Sequence, residues 1–306
     1  MATDNILRTF GDVSAREDVV LNAVEILTAK ETQIMNMLGK TSAINTIHSY
    51  LTDTLLTAAS LAVEEAVDFT AQALSTPTRL TNLVEKVAYN YKVTGTQQRI
   101  EHYSGNELAR QREKALINWG NAVEFDLVRS TLVSGASGTA AKLSGIIEAI
   151  SKSTNTTAHT SGTVFSATIL DALMKNNWDN SNGDVATDLF VGSFLRNAID
   201  GFTAKSNVVV NNPGGATAIV KTVTTYETAF GTLRVQKHRY VQQSSDATGR
   251  VLAVNPQKLK IAYLAKPFIK KLAESGDYTN EAVIGEMTLE VHNQDACWFA
   301  SGFDKD

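Results

Sequence analysis

The sequence predicts an α+β protein, and three observations carry that expectation. Residues 104–134 place Leu116, Trp119, Val123 and Leu127 on one stripe at spacings of three and four, the period of a helix. Other stretches alternate with a period of two: Val87, Tyr89, Tyr91 and Val93; Leu259, Ile261 and Tyr263; Met287, Leu289 and Val291. Helical and extended stretches are mixed, without the regular alternation that a doubly wound parallel sheet needs. There is no internal repeat.

A chain of 306 residues is long enough to bury a large core, and 43% hydrophobic with 20% charged residues is the balance of an ordered protein. The single cysteine, Cys297, has no internal partner, so no disulfide framework is expected. The first residues lack the basic start and apolar core of a signal peptide. No apolar run approaches the roughly 20 residues needed to cross a bilayer, so no membrane partner is expected. A net charge of −4 argues against a dedicated nucleic-acid binder.

Residues 1–45 read as an arm. Arg16, Glu17 and Asp18 open a helical stretch with Val19, Val20, Ala23, Ile26 and Leu27. A second short apolar piece, residues 34–38, stops at Gly39. Residues 46–98 read as an extended hairpin with strands at 46–55 and 87–93. A long two-stranded hairpin is marginal alone in water, so it must lean on its own body or on another subunit.

The helix at 104–134 carries a capping-box signature in Ser104 and Glu107, with Gly135 and Gly138 as its stop. About thirty residues would extend roughly 45 Å. Residues 145–163 are rich in Ser and Thr and read as loop. A helix follows with Ile169, Leu170, Leu173, Met174 and Trp178 on its apolar face, then a buried strand at 188–191 and a helix through Leu195, Ile199 and Phe202. Strands are expected at 208–210, 219–226 and 233–241, with a turn at 226–231.

No chemistry is assembled by spacing. The five histidines, His48, His102, His159, His238 and His292, have no metal-ligand spacing, and no cysteine pair exists, so no metal site is predicted. The segment 135–138 lacks the spacing of a nucleophile turn and the lysine of a phosphate loop, which leaves it as a helix terminator. The step at 191–193 offers backbone amides but no glycine fingerprint. No catalytic residue and no cofactor are predicted. Charge is instead segregated. Residues 250–271 carry Arg250, Lys258, Lys260, Lys266, Lys270 and Lys271 and no acid, a net of +6, whereas residues 273–306 net −7. Either the two segments neutralise one another within a subunit, or they meet across a subunit boundary.

Several segments taken in order resemble the major capsid proteins of tailed bacteriophages with the Hong Kong 97-type fold, in particular the SU-ten-like group. Arg16-Glu17-Asp18, Glu31-Thr32 and Gly39-Lys40 resemble that group's arm. His48, Tyr50, Asp53 and Leu55 resemble its opening hairpin strand, with tyrosine in place of tryptophan. Val93, Gly95 and Thr96 before the long helix resemble its return strand and spine helix. Phe230, Gly231, Leu233, Val235 and Arg239, then Asn255-Pro256, Lys266-Pro267-Phe268, Gly276-Asp277 and Glu286 to Leu289, follow in the family's order.

The resemblance implies a shell-building subunit and not an enzyme, located in the virion and assembled in the host cytoplasm. It implies an N-terminal arm (1–45), an extended hairpin loop (46–98), a peripheral domain with the spine helix (99–154 and 264–306) and an axial domain (155–263). Pentamers and hexamers of the chain would enclose double-stranded DNA without binding it specifically, aided by a scaffolding protein and a portal. Arg16, Asp18, Val87, Tyr89, Tyr91, Val93, Lys266 and Lys270 are the expected intersubunit contacts. A tail or adaptor subunit, or the shell protein of a nanocompartment, is the alternative.

Overall fold

The computed structural model describes residues 32–55, 60–66, 68, 71, 74–100, 106–153, 155–202 and 224–304. A short helix α1 (Gln33–Met37) leads into β1 (Gly39–Ser42), then the ribbon strands β2 (Ile47–Thr52) and β3 (Thr78–Leu83), and β4 (Glu85–Thr94). After α2 (Gly95–Arg99) come the long α3 (Glu107–Arg129), α4 (Ile146–Ser151) and β5 (Thr156–Thr163). Then follow α5 (Ala167–Asn180), β6 (Asp188–Val191), α6 (Ser193–Phe202), β7 (Thr225–Thr228), β8 (Gly231–Lys237) and β9 (Gly249–Val254). The chain closes with β10 (Leu259–Lys271), β11 (Tyr278–Val291) and β12 (Trp298–Phe303). Helices and strands are mixed as predicted.

Three sheets result: a four-stranded one in the order β1-β10-β11-β4, a six-stranded one in the order β5-β12-β9-β6-β8-β7, and the two-stranded ribbon β2-β3. The first core lies between the four-stranded sheet, α3 and α4, and reaches one face of the six-stranded sheet through Phe190, Leu252, Val254 and Phe299. The second core takes the opposite face, where Leu189, Val191, Val251, Ala253 and Trp298 meet Leu170, Met174, Leu195 and Ile199 of α5 and α6. The middle strands of that sheet are therefore covered on both sides. This is why 188–191 reads as an unbroken apolar run and not as an alternation.

The spine helix is shorter than predicted, 23 residues or about 35 Å. Asn106 caps it, accepting from the Ala109 N–H at 3.2 Å; Ser104, the expected cap, lies outside the described residues. The Glu107 carboxylate takes Arg110 (2.9 and 2.6 Å) and Gln111 (2.6 Å). The helix stops at Arg129 as Ser130 turns extended, ahead of the glycines expected to end it. Ala115, Trp119, Val123 and Leu127 are buried, while Leu116 is exposed, so the buried stripe runs in steps of four. Trp119 fits because Gly285 has no side chain: a Cβ there would lie 2.4 Å from the indole, whose N–H donates to the Val87 carbonyl at 3.0 Å.

Other expectations are corrected. Residues 145–163 hold α4 and β5; the threonines make an edge strand paired parallel with β12, and β-branched residues suit that half-exposed position. Trp178 is exposed on α5. Residues 208–210 and most of 219–226 lie outside the described residues. β12 lies inside the six-stranded sheet, and the first half of β10 belongs to the four-stranded one.

Candidate assembly surfaces

The hairpin is narrower than predicted. β2 pairs with β3 from Ile47–Leu83 to Thr52–Thr78, and the Val84 N–H closes its root on the Thr46 carbonyl at 2.8 Å. β4 then leaves the ribbon and joins β11. Alternation along 87–93 was correct, but the partner face is the chain's own: Tyr91 and Val93 are buried in it and Val87 packs on the first core. Here α3 supplies apolar surface that a free hairpin would have needed from elsewhere. Tyr89 alone of the four is exposed.

Among the described residues, the hydrogen bonds from the ribbon to the body lie near its root. There His48 Nε2 meets Glu290 Oε1 at 2.6 Å, with His292 on the other oxygen at 2.9 Å. The Tyr50 hydroxyl accepts from the Val291 N–H at 3.1 Å. Asn82 donates to the carbonyls of Ser144 (3.1 Å) and Leu289 (2.8 Å). Beyond this root, Leu51, Leu55, Leu61, Val63 and Leu74 are exposed, Leu55 at 98% and Leu74 at 91%, beside the exposed acids Asp53, Glu64, Glu65 and Asp68. Of these apolar side chains, the sequence reading singled out Leu55 alone.

A second surface is the outer edge of β10. β1 covers it only from Lys260 to Tyr263, and from Leu264 to Lys271 that edge has no strand partner among the described residues. Phe268 and Ile269 are 47% and 41% exposed there, between the exposed Lys266, Lys270 and Lys271. Pro267 and an irregular register between Ala265 and Phe268 blunt this edge against indiscriminate strand addition. Lys266 and Lys270 are at the surface; Arg16 and Asp18 lie outside the described residues.

The segregated charges do not simply cancel. Of the acids after residue 273, Glu281 pairs with Arg112, Glu286 with Lys86 and Asp277 with Arg99, all outside the basic segment, while Glu274 pairs with Lys271. Inside, one carboxylate anchors the start of the described chain. Glu124 on α3, fully buried, accepts from the N–H groups of Ile34 (2.6 Å) and Met35 (2.8 Å) and meets the buried His238 at 2.9 Å. Burial pushes the Cys297 thiol up to about 12, so it is a packing residue. Among the described residues no group of three or more His, Cys, Asp and Glu is placed to hold a metal.

Solved structures with this fold come from several sources. The capsid of a native GTA particle superposes with a TM-score of 0.68 at 10% identity, covering 97% of this chain and 98% of that one. The structure titled Microbacterium phage Oxtober96 gives 0.67 at 12% identity, over 94% and 96%. The holo-SrpI encapsulin complex from Synechococcus elongatus PCC 7942 gives 0.62 at 13% identity, over 98% and 96%. The fold is the Hong Kong 97 type. No curated protein matches the sequence significantly. A family model described as SU10 major capsid protein matches residues 6–303. The chain belongs to that family and is a phage major capsid protein.

Proposed function

We propose that the chain builds a closed shell of pentamers and hexamers around double-stranded DNA, and that it carries out no reaction. One observation carries this reading: a chain with complete cores holds a two-stranded ribbon away from its body, with large apolar side chains exposed along it. Ordering a ribbon costs about 1–2 kcal/mol per residue, which solvent contact does not return. A second copy returns it. The exposed leucines and acids of the ribbon complement the apolar, lysine-lined edge of β10 in a neighbour, and Arg16 and Asp18 in the arm add further contacts. In this reading the four-stranded sheet with α3 is the peripheral domain, and β7, β8, α5 and α6 belong to the axial domain at capsomer centres. Assembly takes place in the host cytoplasm with a scaffolding protein and a portal, and the mild net negative charge keeps the wall from binding DNA tightly.

Replacing residues 53–77 by an Asn-Gly turn tests the reading. The shortened chain should melt cooperatively, because both cores lie elsewhere, yet stop at small oligomers in sizing and electron microscopy. Normal shells from it would overturn the proposal. Lys266→Glu with Lys270→Glu should weaken assembly, and added salt should weaken the wild type likewise. The encapsulin likeness supports a second reading, a nanocompartment shell; particles purified with protein cargo and no DNA would favour it.

A further inference from the structure

A cleft of about 680 Å³ opens where the step from β6 to α6 faces the segment that follows β8, a volume ordinary for a ligand site. Its walls are fixed from behind. The His238 N–H donates to the Val191 carbonyl at 3.0 Å, and the Tyr240 N–H donates to His238 Nδ1 at 3.2 Å. Arg129 of α3 donates to the Tyr240 carbonyl at 2.6 Å and pairs with Asp246. The cleft is thus held in shape by the body itself.

Gln242 stands in the wall of this cleft and is only 6% exposed. Its side chain lies flat on Gly192, where a Cβ would come within 2.5 Å of Gln242 Oε1, so the carboxamide keeps this place only over a glycine. Among the described residues neither Nε2 nor Oε1 makes a hydrogen bond. A buried donor and acceptor left unpaired are costly, and a ligand that pairs both recovers that cost. The charge of the lining is one-sided. It carries Lys237 and Arg239 and no acid among the described residues, and the exposed Lys237 has no ion pair there. The nearby acids are buried and taken, Glu124 by His238 and Asp246 by Arg129 and Arg250. α6 starts at Ser193 on the same wall, and the first turn of a helix carries partial positive charge.

We propose that this cleft binds an extended, acidic peptide segment of a partner protein. The Gln242 carboxamide pairs with one peptide group of the ligand, donating through Nε2 to its carbonyl and accepting at Oε1 from its N–H. Lys237 meets an acidic side chain beside it. The donor and acceptor together choose the ligand class. A phosphodiester or an isolated carboxylate only accepts hydrogen bonds and would leave Oε1 unpaired, whereas a peptide group answers both atoms. The site does not depend on the reading of the hairpin as an intersubunit element.

Fluorescence anisotropy of a labelled, capped peptide of glutamates, titrated with the full chain before assembly, tests the proposal. Binding should saturate and weaken with salt. Gln242→Leu, which keeps the bulk of the side chain, should weaken it about tenfold, and Lys237→Glu should weaken it at least as much. The same peptide with methylated backbone nitrogens should also lose about tenfold, because it has no N–H for Oε1. No saturable binding, or undiminished binding by Gln242→Leu, overturns the proposal. So does displacement of the peptide by inorganic phosphate or short duplex DNA at equal concentration, which would make the cleft a general anion site. Assembled shells that no longer bind the peptide would show that a second copy of the chain fills the cleft, and would overturn the partner. Should Gln242→Leu fail to fold, equal binding of the methylated peptide overturns the proposal instead.

Discussion

Glu281 on β11 is a buried carboxylate served by two elements. Arg112 of α3 grips it with two nitrogens, at 2.8 and 2.6 Å, and the Tyr91 hydroxyl of β4 donates to it at 2.6 Å. The Arg112 hydrogen bonds hold the Glu281 carboxyl below its ordinary range, while burial first, and then that carboxylate, push the Tyr91 phenol up to about 12. Arg112→Ala should cost about 3 kcal/mol in chemical denaturation, because it strands a buried charge; Arg112→Met with Glu281→Leu should recover most of it. The depressed Glu281 contributes stability above its unfolded value, and this is lost as pH falls through the lower folded one. Unfolding of Arg112→Ala should thus depend less on pH in the acid range than that of the wild type. None of this was legible in the sequence, since Arg112 and Glu281 stand 169 residues apart and no spacing rule links them. The histidines hid in the same way: His238 finds Glu124, and His48 and His292 find Glu290, only once the chain is folded.

Local periodicity located the elements more reliably than it located their partners. The stripe of Trp119, Val123 and Leu127 placed α3, and Trp119→Ala should cost on the order of 3–5 kcal/mol. A loss below 1 kcal/mol in denaturant titration would contradict the packing of the indole on Gly285. Gly285→Ala is the complementary test. The added methyl enters the ring's space, and a destabilisation of about 1–3 kcal/mol is expected, reduced when Trp119 is replaced by leucine. The alternation at 87–93 specified a strand with one apolar face but was silent on which surface would cover it. The hairpin's return leg, β3, was missed because Thr78 to Leu83 carries no apolar alternation; its register comes from β2 and from Asn82 at the root. The Ser/Thr-rich β5 looked like loop because polarity dominated its pattern, although threonine favours strands.

At the scale of the whole molecule, class, order of segments and family resemblance were all readable, whereas the division into sheets was not. β1 pairs with β10, β4 with β11, and β5 with β12, all across long stretches of intervening chain. A six-stranded sheet covered on both faces joins the two cores, so the body should unfold as one cooperative unit. Calorimetry should then give one transition, and two well-separated ones would mean that the cores part independently. The long-range pairings have a further consequence, for the timing of folding. Neither large sheet can close before residues 278–303 have been synthesised, and non-local strand pairing is slow even afterwards. Refolding from denaturant should therefore take milliseconds to seconds or longer, and a chain lacking those residues should stay molten. On the ribosome, the hairpin's leucines emerge long before the body that must present them. A nascent chain thus cannot close the body that carries the hairpin until residues 278–303 have been made.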